Sequence, residues 1–362
     1  MRPRWVATIV VLIALLLLTG RTIDEPPRHY RVQLDVPPVD AALWFAARYP
    51  QYFTSGELGL AAWLEGLHPR DRVFVLAMAQ TLTWTWVEHE IARLESRDPH
   101  ALAREASVLI RQKTLNQLEV HVAHYGQKEG LEFNTHLKEP SFAAGVFARL
   151  VRGASNCEGQ NHLVALLLDT ALNDAIAVEM VGVPHHDLVR VSGITIAQPI
   201  FVDPWSNLPP FSADPSQPAD APLLSELGDP PHSLVPDAAG REPFPAAVYH
   251  ASTGVTVVLT PERDAPTLPV SLEIEAPKLD EASLERIDDP WQIYLYARIL
   301  HIYDDPRAAD VQRFLYERHC ADQRPGDITF VCDAAAKLLV RLDPSWSPVK
   351  DSWLRPHPPS SR

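Results

Sequence analysis

Basic residues are not clustered anywhere in this chain beyond its extreme N-terminus, and the formal net charge over 362 residues is −14. Phosphate backbones are bound by basic faces, so nucleic acid is excluded as a partner. No internal repeat and no glycine-rich phosphate loop is found, and no cofactor is expected. Long apolar runs are scarce as well: there is one, Trp5 to Leu18. Cysteine is rare, with only Cys157, Cys320 and Cys332.

What is present is ordinary for a folded protein: 46% hydrophobic and 22% charged residues. The length suits two domains, or one with elaborations. Arg2 and Arg4 precede the apolar run, and Thr19, Gly20 and Arg21 close it. Two readings stay open for residues 1–22. One is an uncleaved signal-anchor with its basic end in the cytoplasm. The other is a cleaved signal peptide of a secreted protein, although no Ala-x-Ala-like site follows. Either reading puts the bulk of the chain outside the cytoplasm, periplasmic in a bacterium, with the membrane as a partner of the N-terminal segment. In an oxidising space Cys320 and Cys332 are expected to form a disulfide across a short loop between two helical runs. That leaves Cys157 as the odd thiol.

Residues 23–68 read as a tether followed by short helices at Ala41–Arg48 and Glu57–Leu67. From Asp71 a longer helix carries Val73, Leu76, Ala77, Gln80, Trp84, Val87, Ile91 and Leu94 at steps of three and four. Trp84 and Trp86 are expected in the core. A second helix is expected over Ala101–Tyr125, stopped by Gly126. It carries His121 and His124, a surface pair rather than a metal site, because a closed zinc site needs four ligands. Residues 209–247 hold ten prolines in the stretch from Leu208 to Pro245 and are read as a linker or loop, unable to form helix or central strand. A lid over a cleft is the functional alternative. Val255–Thr260 and Val270–Glu275 alternate like strands and suit a hairpin added to the sheet. A helical block follows, with stripes at Trp291, Tyr294, Leu295, Ile299 and Ile302, then Val311, Phe314 and Leu315, and a last helix at Ala334–Leu342. The tail, 351–362, is read as disordered.

Cys157 stands at the start of an apolar helical run, where Ser155 or Asn156 can cap. Val164, Leu167, Leu168 and Ala171 then recur at helical spacing. A thiol at a helix N-terminus meets free backbone N–H groups and the positive end of the macrodipole, a setting that suits a nucleophile. Two short strands follow, within Val181–Val191 and Pro199–Trp205.

Three motifs stand in order: Ser155-Asn156-Cys157-Glu158-Gly159, His186 to Val191, and Val202-Asp203-Pro204. Together they resemble the transglutaminase-like core of the papain-like cysteine enzymes, over about residues 141–208. Departures are Ser155 for a common Gly, Asn161 for a common Ala, and Leu188 for a common aromatic. The resemblance implies an α+β fold, with a cysteine-bearing helix packed on an antiparallel sheet and the core within residues 69–208. Added strands and helices would then occupy 248–350.

It also implies a Cys157–His186–Asp203 triad acting on the carboxamide or peptide bond of a protein or peptide substrate, by hydrolysis or acyl transfer. Spacing to Val191 selects His186 over His185. The Cys157 N–H is the natural oxyanion donor, with Gln160 or Asn156 as a second. The competing readings are a non-catalytic transglutaminase-like binding or scaffolding module, and a Cys157/His185/His186 metal site, although no metal is expected.

Overall fold

The computed structural model describes residues 30–54, 57–116, 141–155, 157–183, 186–205, 208–212, 254–256, 265–270, 272–321 and 329–346. Its architecture mixes helices with an antiparallel sheet, as the α+β class requires.

The first helices are α1 (Pro38–Arg48), α2 (Pro50–Thr54), α3 (Glu57–Gly66) and α4 (Pro69–Ile91). All but α3 start at a proline, which fixes the first-turn φ where no N–H is lost. Helix α4 begins at Pro69 behind His68, whose ring accepts from the Arg70 N–H. Trp84 and Trp86 are buried, as expected. Val73 is not: the first member of the expected apolar stripe lies at the surface, 38% exposed.

Helix α5 spans Pro99–Lys113, capped by the Asp98 carboxylate. The expected continuation to Tyr125 does not occur. Thr114 is extended, and Leu115–Asn116 forms β1. His121 and His124 lie outside the described residues. Helix α6 (Ser141–Arg152) leads through Gly153 into β2 (Ala154–Ser155), then α7 (Cys157–Ala171). Strands β1 and β2 pair in parallel, Leu115 against Ala154 and Asn116 against Ser155.

The main sheet has five strands in the order β6-β5-β4-β3-β7, every neighbouring pair antiparallel. They are β3 (Ile176–Val183), β4 (His186–Gly193), β5 (Ile200–Asp203), β6 (Leu208–Ser212) and β7 (Gly254–Thr256). The single strand expected within Val181–Val191 is therefore two. The chain reverses between Val183 and His186, which stand opposite each other. Alternation sets the faces. Ile176, Val178, Met180, Val189, Val191, Ile200 and Val202 join the main core with α7, whereas Glu179 and Arg190 pair across the strands at 2.5 Å.

Pro209 and Pro210 sit in β6, which is an edge strand, the one sheet position where missing N–H donors are tolerated. The sheet thus continues past 208, into the stretch expected to be linker. Val270–Glu275 forms no strand. Its described residues have no ladder partners among the described strands, and Pro266, Pro269 and Pro277 deprive the segment of donors. Just ahead of it, Thr267 bridges to Arg31.

The C-terminal helices are α8 (Glu281–Leu284), α9 (Pro290–Ile302), α10 (Ala308–Leu315), a π-helical turn at Tyr316–Cys320, and α11 (Thr329–Leu342). The apolar residues of α8–α11 largely share one hydrophobic cluster with α1, α4–α7 and the sheet, while Tyr316, Cys320, Cys332 and Ala336 form a small one of their own. Cys320 and Cys332 form the expected disulfide, joining the π-helical turn to α11. Among the described residues no helix is long and apolar enough to cross a membrane. The run Trp5–Leu18 lies outside them.

The bridge closes a loop of sequence separation 12, and chain-entropy arguments give such a loop about 3 kcal/mol. Cys320→Ser/Cys332→Ser is expected to lower the urea-unfolding free energy by about that amount. Unreduced wild type is expected to titrate one thiol when denatured. Three thiols there would show that the bridge does not form.

Candidate active site

Helix α7 is buried all round from Glu158 to Leu168, not on one face as its spacing suggested. The sheet covers one side, and α4, α5 and α6 the other. Four polar residues, Glu158, Gln160, Asn161 and His162, are enclosed in its first two turns. Burial of that much polarity costs free energy unless it is partnered, so it marks a place where something other than packing set the sequence.

Cys157 is the first residue of α7, half-buried, and the free cysteine of the chain. Ser155 is not its cap: its backbone is committed to β2 and its buried hydroxyl has no hydrogen-bond partner. Asn156 lies outside the described residues, as does His185.

Asn161 stands one helical turn after Cys157, about 40° around the axis, and therefore on the same stripe. Its Nδ2 donates to the Asp187 carbonyl at 2.6 Å, with a longer contact to Asp203 Oδ1 at 3.4 Å. Asp187 follows His186 at the start of β4, and Asp203 ends β5. One amide thus joins the cysteine-bearing stripe, the beginning of the histidine strand and the buried carboxylate. Sequence reasoning recorded Asn161 only as a departure from a family pattern. A polar residue on the buried side of an apolar helix was the signal available.

Asp203 is fully buried. By alternation it would share the side of Phe201, away from the core. A register shift in the β5–β6 pairing between Phe201 and Asp203 breaks that alternation, and such irregularities re-aim side chains. The half-buried Arg111 of α5 is also near: burial lowers its pKa and the Asp203 charge opposes the fall. The β4–β5 register sets Val189, three residues from His186, against Val202, the neighbour of Asp203. Gln160 is buried, and its Oε1 has no hydrogen-bond partner.

What holds the cysteine segment in place comes from the far end of the chain. The last carbonyls of α5 have no intrahelical donors. The Arg111 and Thr114 carbonyls accept from Arg341, both at 2.8 Å, the Gln112 carbonyl from His301 Nε2 at 3.0 Å, and the Lys113 carbonyl from Arg298 at 2.5 Å. The same Arg298 donates to Leu150 at 2.9 Å and Val151 at 3.1 Å, at the end of α6, and Tyr294 donates to Arg152 at 2.7 Å. A fully buried guanidinium is thereby set against the negative ends of two helices. Burial lowers it to about 10, so it stays charged at neutral pH.

These capped ends lead directly into β1 and β2, and β2 leads into Cys157. Gly153 makes the turn at φ +77°, and a Cβ there would lie 2.2 Å from Arg298 Nε. Both the conformation and the space require glycine.

His89, Glu90 and Asp304 are the one group among the described residues whose ligand atoms lie within 4.8 Å of one another. Its centre already holds cations. Lys113 Nζ is 2.6 Å from Asp304 and 3.6 Å from Glu90, and Arg93 pairs with both carboxylates. The arrangement is a structural ion network.

No protein family's sequence pattern, no curated protein and no solved structure matches this chain.

Gly153→Ala combines backbone strain with an overlap on Arg298, and is expected to cost about 2–4 kcal/mol by urea denaturation. A cost under about 0.5 kcal/mol, typical of a surface change, would contradict the tight fit. His301 supplies a pH test. Burial first, then the charges of Arg298 and Lys113, pushes its imidazole from 6.5 down to about 3. Above the upper value neither state binds the proton. Below it the unfolded chain does and the folded chain does not, so stability falls as pH drops toward about 3, by roughly 1 kcal/mol per unit. His301→Gln keeps a donor for the Gln112 carbonyl and removes the titration. Its denaturation midpoint should change less than that of wild type between about pH 7 and about pH 4.5.

Proposed function

We propose that this chain is a cysteine-dependent acyl-transfer enzyme of the transglutaminase-like kind, with Cys157 as nucleophile, His186 as general base and Asp203 as the carboxylate that orients it. The observation that carries the reading is the Asn161 amide. It ties the stripe of Cys157 to the residue after His186 and to Asp203 itself. Three segments whose order resembles that of a known family thus meet at one buried side chain.

The chemistry follows from the residue types. The Cys157 sulfur attacks the carbonyl carbon of a carboxamide or peptide, and its proton passes to the His186 imidazole. The C–N bond breaks as the imidazolium returns that proton to the leaving amine. A thioester remains, open to water or to an amine. The Cys157 backbone N–H, free at a helix start, is the oxyanion donor, with Gln160 as the second. Asp203 holds the imidazole tautomer. Asn161 is a positioning residue: it keeps β4 and β5 in register with the helix start.

The supporting features are convergence, burial of the carboxylate and a single free thiol. A protein or peptide substrate and an extracytoplasmic, membrane-tethered setting belong to the same proposal. The papain-like description of the sheet and helix does too.

The test uses the full-length protein, iodoacetamide and a glutamine-containing peptide amide. Wild type is expected to be alkylated at Cys157 near neutral pH and to release ammonia or amine from the peptide. Cys157→Ala should abolish both. His186→Ala should slow both by about 10²-fold or more, as loss of a general base does. His185→Ala should leave them within about twofold, well short of a general-base loss. Equal alkylation rates in wild type and His186→Ala would remove the triad.

A further inference from the structure

A groove of about 700 Å³ opens between α1, α4 and the extended segment 265–272. Sites for small ligands have volumes of roughly 300–1,000 Å³ and largely apolar walls. One wall here is aromatic: Trp44 meets Tyr49 and Phe74 edge-on, with ring centroids 6.4 Å and 6.2 Å apart. Leu268, Val270 and Leu272 form the opposite wall. Val73 and Val270, each 38% exposed, both line it, and they are two of the five large apolar side chains exposed among the described residues. Surface of this kind is retained where it is covered part of the time.

The rim is cationic. Arg48 and Arg70 stand there with Asp71 as the one acidic residue. Both arginines are exposed, and among the described residues neither is paired with a carboxylate. In a chain of net charge −14 this is a local reversal of sign. An occupant with an apolar body and an anionic head matches both features.

Connectivity says where such an occupant comes from. The Leu268 N–H donates to the Arg31 carbonyl at 2.7 Å, and the Arg31 N–H to the Pro266 carbonyl at 2.9 Å. The groove wall is therefore pinned to the point where the chain arrives from the apolar run Trp5–Leu18. From Leu18 to Arg31 even a fully extended chain reaches at most about 45 Å. Held by that run, the groove stays close to a bilayer surface.

We propose that this groove takes an acyl chain of an anionic membrane phospholipid, with Arg48 and Arg70 on the headgroup phosphate. The site rests on the run being a membrane segment and is independent of the chemistry at Cys157. It gives the domain a second hold on the bilayer.

The experiment places the full-length chain in phosphatidylcholine bicelles containing phosphatidylglycerol with a diazirine on one acyl chain. After irradiation, cross-linked peptides are mapped by mass spectrometry. Labels are expected on the Trp44–Phe74 and 265–272 peptides. Replacing either Arg48 or Arg70 by Gln should reduce that labelling by about fivefold, the usual worth of one basic group at an anionic surface. Val73→Asp, an exposed change that spares the fold, should also reduce it, while labelling of the N-terminal run stays unchanged as the control for insertion. Three outcomes overturn the site: groove peptides labelled no more than the rest of the surface, labelling insensitive to Val73→Asp, or labelling by diazirine palmitate but not by the phospholipid.

Discussion

The described structure hangs on the way α9 and α11 close the C-terminal ends of α5 and α6. A helix end leaves carbonyls without donors, and a buried end must find them elsewhere. Here the donors are Arg298, His301, Arg341 and Tyr294, from helices more than a hundred residues downstream. Removing Arg298 would leave three buried acceptors unsatisfied at once, each costing about 1–3 kcal/mol. The contacts are directional as well as favourable. A guanidinium has a planar fork, so its three carbonyl partners fix the relative position of two helix ends in a way that apolar contact does not.

That constraint passes to the site in two short steps. Strands β1 and β2 are each two residues long and would not pair in isolation. They pair because the helix ends that feed them are held together, and Leu115 N–H reaches the Gly153 carbonyl at 2.6 Å. Cys157 then begins a helix whose other anchor is Asn161, on the sheet side. The thiol is thus set from behind by the C-terminal helices and from the front by β4 and β5. The ion network of Glu90, Lys113 and Asp304 braces the same corner, since Lys113 also donates to the His301 carbonyl at 3.1 Å.

Much of this was legible locally. The β5 strand, the Cys320–Cys332 pair and the helix start at Cys157 follow from alternation and spacing, whereas the proline starts at Pro38, Pro69 and Pro99 lie two or three residues ahead of the starts read from apolar spacing. The misreadings share one cause, which is distance along the chain. Nothing near Lys113 stops α5; its apolar spacing runs on, and the terminators are acceptor demands met by Arg298, His301 and Arg341. The spacing of Val164, Leu167, Leu168 and Ala171 marks one apolar face of α7, yet Glu158, Gln160, Asn161 and His162 around its start are buried as well. Val270–Glu275 alternates like a strand but has no neighbouring edge to join. Asn161 shows the point most sharply: its meaning lies in Asp187 and Asp203, and neither is adjacent in sequence.

Chain order gives the Arg298 contact one more consequence. Proteins emerge N-terminus first and fold progressively as they are made. Val151 precedes its partner Arg298 by 147 positions, so the corner that carries the thiol stays unfinished until most of the polypeptide has appeared. An unfinished nascent chain therefore carries its sulfur without its surroundings, and any reactivity those surroundings confer arises only after nearly the whole protein has left the ribosome.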